Sequence, residues 1–445
     1  MNARRIVPAR QTGHNGHAPT APMVHRRTRR AWTGVLVATL ALFLVAPAVR
    51  AESTWGVEGL GRPENPYDHA ARGAGSTGIA VGDPFGMSFV NPAAIAHARS
   101  AQYHVGMAMQ DRLIESADGG PDRRLNARLT MEHFVLPWPH PLCWSFGFRN
   151  LTDGTYDVKI RANRGREDEY TRTLVGTGGI GELSSGVAAL FAGGRLAAGL
   201  RLGFINGKLL DVVEDTFSDT RFGGRNPTML TTRVRNGRAV SLGAQATPLR
   251  GISLGAMWRS SSSVDLSGPD SVVSAYWSPP ASFELPSELG LGLAVRRDRV
   301  RVAADWNRAA WADAKFDTKG EETSPAPVLF RNTDRLGVGV TLFPAVTEAK
   351  GTLLRRSVWR AGFSWGQLPV RQRSITANGI RALDGPTVSE WALTAGCGLP
   401  VKVDRGWIDL FLEAGRTGNL TDVRLRETFL RLGVGVTFGR FAKTF

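Results

Sequence analysis

The stretch Leu430-Arg431-Leu432-Gly433-Val434-Gly435-Val436-Thr437-Phe438 alternates a large apolar residue with arginine, glycine or threonine. A period of two is a strand signature, because successive side chains point to opposite faces. One face is aliphatic and the other small or polar. The pattern recurs in Leu289-Gly290-Leu291-Gly292-Leu293-Ala294-Val295, in Leu336-Gly337-Val338-Gly339-Val340-Thr341-Leu342 and in Leu200-Arg201-Leu202-Gly203-Phe204. About 14 such segments run near 101–111, 125–136, 142–152, 184–192, 196–210, 231–246, 252–264, 284–295, 300–310, 332–343, 356–370, 387–399, 407–416 and 427–440. Most have the ten residues or so that a tilted strand needs to cross hydrocarbon.

The connections carry a second signal. Pro137–Pro141, Gly193–Arg195, Thr247–Gly251, Arg296–Arg299 and Pro400–Gly406 are short, and Pro344–Arg355 is the long exception among them. Between them fall Arg112–Arg124, Asp153–Leu183, Asp211–Leu230, Asp265–Phe283, Trp311–Arg331, Arg371–Pro386 and Thr417–Arg426. Short and long alternate along the chain, as in a transmembrane antiparallel β-barrel with tight turns at one end and long loops at the other. The fold expected is therefore all-β.

Energy decides which face meets lipid. With the aliphatic face outward, Arg201, Arg301, Arg360 and Arg431 enter the lumen together with Asp409 and Glu413, which are placed to pair with such arginines. A slip of one residue would set each arginine against hydrocarbon at roughly 2–4 kcal/mol. Trp138, Trp144, Trp258, Trp306, Trp359, Trp391 and Trp407 lie in or beside the strands, where interfacial aromatic belts form.

Composition agrees. Apolar residues make up 42% of the 445, too many for a disordered chain. Beyond the first 50 positions no run of about 18 uncharged apolar residues occurs, so helical spans are excluded. Cys143 and Cys397 are too few for a disulfide scaffold or a cysteine-built zinc site, and no His, Asp and Glu spacing suggests a metal. No cofactor is expected. Of the net charge of +16, eight arginines lie in Met1–Ala51, and the remaining basic residues are scattered, so nucleic acid is not an expected partner.

Met23–Arg30 is basic, Ala31–Ala48 is apolar, and Val49-Arg50-Ala51 offers a cleavage site. Residues 1–51 thus read as a leader and secretory signal peptide, with Met23 a candidate start. The barrel occupies 101–445. Fourteen strands spaced ~4.8 Å apart and tilted ~40° enclose a lumen on the order of 14 Å in radius, wider than Gly and Ala walls can fill. Residues 52–100 lack alternation, are rich in glycine and carry the apolar set Phe85, Met87, Phe89, Val90 and Ile95. They read as a plug.

Arg72-Gly-Ala-Gly-Ser-Thr-Gly-Ile-Ala-Val-Gly-Asp-Pro84, followed by Phe89-Val-Asn-Pro-Ala-Ala-Ile-Ala96, resembles the N-terminal hatch of the FadL/TodX outer-membrane transporter family. The run Leu412-Glu-Ala-Gly-Arg-Thr-Gly418 leading to Glu427 resembles that family's closing hairpin. The resemblance makes Asn91, Pro92 and Ala93 the hatch motif. It implies a monomeric 14-stranded barrel in the outer membrane of a Gram-negative-type bacterium, closed by its hatch, that passively admits long-chain fatty acids or aromatic hydrocarbons. It also implies an inward kink in the third strand as a lateral exit, with Ser145 and Gly147 the candidate positions. Expected partners are hydrophobic small molecules, outer-membrane lipids and lipopolysaccharide, and the barrel-assembly machinery.

Three motifs imitate chemistry. Gly73-Ala-Gly-Ser-Thr-Gly78 and Gly176-Thr-Gly-Gly-Ile-Gly181 match a dinucleotide fingerprint but lack the strand and helix that the fingerprint needs. Gly362-Phe-Ser-Trp-Gly366 matches a hydrolase elbow inside an alternating strand, where no sharp turn can present Ser364. His133 and His140 could serve a barrel lipase in principle. A barrel enzyme is the least favoured reading; a binding or scaffold subunit of a type IX-like secretion system is the main alternative to a transporter.

Overall fold

The computed structural model describes Ser53 and residues 61–82, 88–116, 121–138, 141–162, 165–217, 221, 228–268, 282–314, 316–317, 330–345, 352–376, 379–402, 406–421 and 423–439. The expected leader 1–51, the residues Phe85 and Met87 of the expected plug, and His140 lie outside them. Among the described residues fourteen strands form the wall. They are β1 (Gln102–Ser116), β2 (Asp122–Pro137), β3 (Leu142–Asp153), β4 (Tyr170–Phe191), β5 (Leu196–Phe217), β6 (Thr228–Leu249) and β7 (Ile252–Arg259). The ring continues with β8 (Glu288–Arg297), β9 (Val300–Ala309), β10 (Thr333–Leu342), β11 (Val358–Thr376), β12 (Gly379–Lys402), β13 (Gly406–Asn419) and β14 (Leu425–Gly439). Each pairs antiparallel with its sequence neighbours, and β14 closes on β1 from Leu425↔Ser116 to Gly439↔Gln102. Closure leaves the sheet without a free edge, the condition for backbone to cross hydrocarbon.

The alternation sorts the faces as expected. Leu432 is 44% exposed and Leu202 49%, whereas Arg431 between Leu430 and Leu432 is 7% and Arg201 is 5% exposed. A continuous aliphatic exterior of this kind is the lipid-facing band of a barrel. Trp144, Trp258, Trp359 and Trp391 stand on that exterior, but Trp407 is buried and its indole donates to Asp409 at 3.0 Å. It faces the lumen.

Several strands outrun the alternation. β4 begins at Tyr170, inside the expected loop Asp153–Leu183, and its ladder to β5 runs from Tyr170↔Phe217 to Phe191↔Leu196. Above the hydrocarbon the outer face meets water and the inner face holds the buried Arg172–Asp215 pair, so Thr171-Arg172-Thr173 and Glu214-Asp215-Thr216 pair without an apolar period. The reverse happens after β7. The segment expected at 252–264 stops at Arg259, and Ser262–Ser267 pairs instead with Ser282–Leu285 and Arg233–Arg235.

Inside the ring lies the leading segment. Residues 67–80 and 88–96 are almost all buried. The segment's short helix α1 (His69–Gly73) is N-capped by Asp68, which accepts from the Ala71 amide at 2.8 Å. Gly75 takes φ +72°, and a Cβ there would sit 2.2 Å from the Val338 carbonyl oxygen of β10. Only glycine combines that backbone with that approach.

Candidate functional site

The segment is held by polar knots, each tying a residue before Ser100 to one far along the wall. Asp305 of β9 is the densest. Its Oδ2 accepts from the Tyr67 hydroxyl at 3.0 Å and from the Gly78 and Ile79 amides at 2.6 and 2.8 Å. Asn307 donates to the Tyr67 oxygen at 2.7 Å. On the other side of the lumen Glu413 of β13 accepts from Arg72 at 2.7 and 2.9 Å and from Arg431 at 2.5 Å, while Arg431 also donates to Gln110. All these ions are buried and satisfied by more than one bond, the condition under which a buried pair is tolerable. Arg62 pairs with Glu390, and Ser53 and Arg112 both reach Glu427.

The other lumen charges divide between wall and segment. Arg360 pairs with Asp409 at 2.7 Å. Arg301 lies over the Phe343 ring at 5.1 Å. Arg201 donates to the Phe89 carbonyl and lies 3.9 Å from Glu182, which Arg149 and Arg259 also hold at 2.9 and 3.2 Å. Sequence reasoning missed Asp305 and Glu182. Strand parity puts both in the lumen, but no local pattern names their partners.

Asn91 works as a two-sided clasp. Its amide nitrogen donates to the carbonyls of Ile79, Ala244 and Ala256 at 2.8–3.3 Å. Its oxygen caps the 3-10 helix Pro92–His97 through the Ala93 amide. Ala93 and Ile95 then pack with Val135, Cys143, Ala188 and Ala197 of the wall. Val90 packs with Tyr67, Ile79 and Met257, and Phe89 stacks on His133 at 4.2 Å between centroids. Phe89, Val90 and Ile95 are each under 5% exposed, so they seal the segment against the wall. Cys143 and Cys397 are free thiols. Ser364 sits inside a ladder opposite Gly337 and Ala392.

The ladder between the second and third strands ends early. β2 and β3 pair from Pro137↔Cys143 only to Met131↔Arg149. Beyond that point β3 stays with β4 through a bulge to Asp153↔Gly179, while Arg62 and Pro63 of the leading segment pair with Asp153 and Thr152. Past Arg149 the third strand is paired with the leading segment and no longer with β2. The ladder runs unbroken through Ser145 and Gly147, so the break lies at Asn150–Asp153 and not at the positions picked from the sequence. Gly147 serves another purpose: Phe89 packs so close that a Cβ there would be 2.5 Å from its ring. Arg128 bridges the break, pairing with Glu64 at 2.6 Å and with Asp153.

Beside the break is a cavity of about 110 Å³, with apolar lining from Leu151, Leu285, Pro286, Trp311 and Leu368 and charged lining from Glu64, Arg149, Arg259, Glu288, Arg308, Asp334 and Arg335. It adjoins the largest apolar cluster, in which Ile180, Ile205, Val264, Phe283, Leu285 and Trp311 pack under the long loops.

Comparison with known proteins supports the fold. A closed barrel of this strand count is an outer-membrane type, multi-pass by construction. It has the fold of the FadL/TodX transporters. The structure is similar to a Pseudomonas aeruginosa FadL homologue (TM-score 0.53, 14% identity, covering 85% of this chain and 99% of that one). It is similar also to the Ralstonia pickettii toluene transporter TbuX (0.52, 13%, 85% and 99%) and to the P. putida toluene transporter TodX (0.52, 15%, 86% and 100%). By sequence, the profile of the family described as BamG matches residues 270–441, less than half of the chain. No curated protein matches the sequence.

Proposed function

We propose that this chain is a passive outer-membrane channel for small hydrophobic compounds, with residues 52–100 as its hatch and the break between β2 and β3 as its exit toward lipid. The observation that carries the reading is the cavity at the break. Asn150, Leu151 and Thr152, the residues by which β3 departs, also line it. A solute lodged there stands beside the point where β2 and β3 part.

Size argues for single-ring compounds. An apolar cavity of roughly 150 Å³ holds one benzene, so about 110 Å³ suits a small aromatic once side chains shift slightly. A long acyl chain would have to extend out of it. Burying ~150 Å² of such a ring yields about 4 kcal/mol, a millimolar hold that permits release. Transport is then downhill, from water into the apolar cluster, the cavity and the bilayer. The toluene transporters of the same fold are in keeping with this solute class.

The test is uptake of radiolabelled toluene and of oleate by cells with and without the chain. Faster toluene entry is expected, at unchanged barrel abundance. Equal entry with and without the chain would refute the channel. Equal entry together with co-purifying envelope proteins would place the barrel among scaffold subunits instead.

A further inference from the structure

The two ends of the barrel treat their arginines differently. At the long-loop end arginines stand among acids, and several pair with them: Arg123 with Asp111, Arg124 with Asp122, Arg172 with Asp215, Arg426 with Glu115. At the short-turn end stand Arg195, Arg250, Arg296, Arg297, Arg299 and Arg355, all exposed, and none forms an ion pair among the described residues. Asp298 is the one acid of those described turns. Uncompensated charge concentrated on one rim is a recognition surface for an anion.

The arginines form a continuous arc. The Thr247 amide donates to the Arg195 carbonyl at 2.7 Å, the Arg296 amide to Gly251 at 2.6 Å, and the Phe343 amide to Arg299 at 2.8 Å, so four successive turns adjoin. Arg296 lies over the Phe343 ring at 4.3 Å, and Arg299 donates to the Phe343 carbonyl, which hold two guanidiniums against the rim.

Five of the six arginines also neighbour an exposed aliphatic residue. Leu196 follows Arg195, Leu249 precedes Arg250, Val295 precedes Arg296, Val300 follows Arg299, and Leu354 precedes Arg355; Leu249 and Leu354 are each 64% exposed. Aliphatic side chains continuous with the lipid-facing band, edged by cations, match the layering of a bilayer, in which acyl chains give way to phosphates. A soluble acidic partner would meet these leucines with no apolar counterpart. We propose that this arc binds the headgroups of anionic phospholipids in the leaflet on the short-turn side and fixes the depth at which the barrel sits there.

The test is native mass spectrometry of the mature barrel in detergent, titrated with phosphatidylglycerol or with phosphatidylcholine of the same acyl chains. Wild type should bind phosphatidylglycerol at least about tenfold more tightly, since each arginine near an anionic lipid surface contributes on the order of a fivefold preference. R250Q/R296Q/R297Q/R299Q should bring the ratio to within about twofold. R123Q/R426Q, at the opposite rim, should keep it. Heat-modifiable gel mobility verifies closure of each barrel, and the wild-type ratio decides even if the quadruple variant fails to close. Equal binding of the two lipids by wild type would overturn the proposal. So would an intact preference in a closed quadruple variant, or a loss confined to capture of an acidic soluble protein.

Discussion

Replacing Asp305 by alanine tests how the leading segment is seated. Asp305 is 3% exposed, and its Oδ2 is the acceptor for the Gly78 and Ile79 amides and the Tyr67 hydroxyl. Removing the carboxylate leaves two buried amides without an acceptor, each at about 1–3 kcal/mol, while Tyr67 keeps its contact with Asn307. Even the lower sum, about 2 kcal/mol, raises the population of the locally open segment roughly thirtyfold. Amide hydrogen exchange at Gly78 and Ile79 in the detergent-solubilised barrel reads that population directly. Tyr67→Phe, which removes one donor and leaves both amides bonded, should accelerate exchange only about fivefold, near 1 kcal/mol. The double variant should fall short of the product of the two effects because they share one acceptor. Unchanged protection at Gly78 and Ile79 in Asp305→Ala would refute the assignment of Asp305 as the anchor.

Glu413→Gln should strip Arg72 and Arg431 of their shared anion at a cost of about 3–5 kcal/mol, visible as leak conductance in planar bilayers; a tight barrel of unaltered stability would contradict it. Gly75→Ala should lower the yield of closed barrel, because the methyl group meets the Val338 carbonyl in a left-handed backbone; normal heat-modifiability would count against that packing. Burial, reinforced by the neighbouring Asp153 carboxylate, raises the hatch carboxyl Glu64 from its ordinary 4.5 to about 7. The seated state then holds a proton that the unseated chain has lost between these values, so seating is strongest below pH 4.5 and weakens as pH rises toward 7. Denaturant midpoints followed over that window should fall with pH in wild type and stay flat in Glu64→Gln; a rise would reverse the sign of the argument.

The wall was legible because hydrocarbon imposes one rule on every strand. Leu430 to Phe438 can be read alone, and its parity places Arg431 inside without knowledge of any partner. What that parity meets is another matter. Glu413 accepts from Arg72 across 341 positions of chain, and no spacing rule reaches so far. Asp305 shares the inward parity of Arg301 and Ala303, yet three donors converge on it only because the leading segment turns at Gly78. The sequence points to Gly147 for the third-strand break, because glycine permits a bend. The better signal is the loss of alternation over Asn150-Leu151-Thr152, the end of the expected strand, and Asp153-Gly154, the start of the expected loop. Strand ends such as Tyr170–Leu183 escaped for the converse reason, since polar and small residues on both faces leave no apolar period to detect.

The pairing of Arg62 and Pro63 with Asp153 and Thr152 has a consequence for biogenesis. Once β3 turns from β2, its backbone donors and acceptors lack a neighbour on that side, and the plug supplies one. An unpaired ribbon edge of that sort is a template for pairing with another chain. Arg62 and Pro63 therefore act as a chaperone in cis: a polypeptide begun at Ala101 would carry a sticky seam in its wall, and its insertion would compete with self-association.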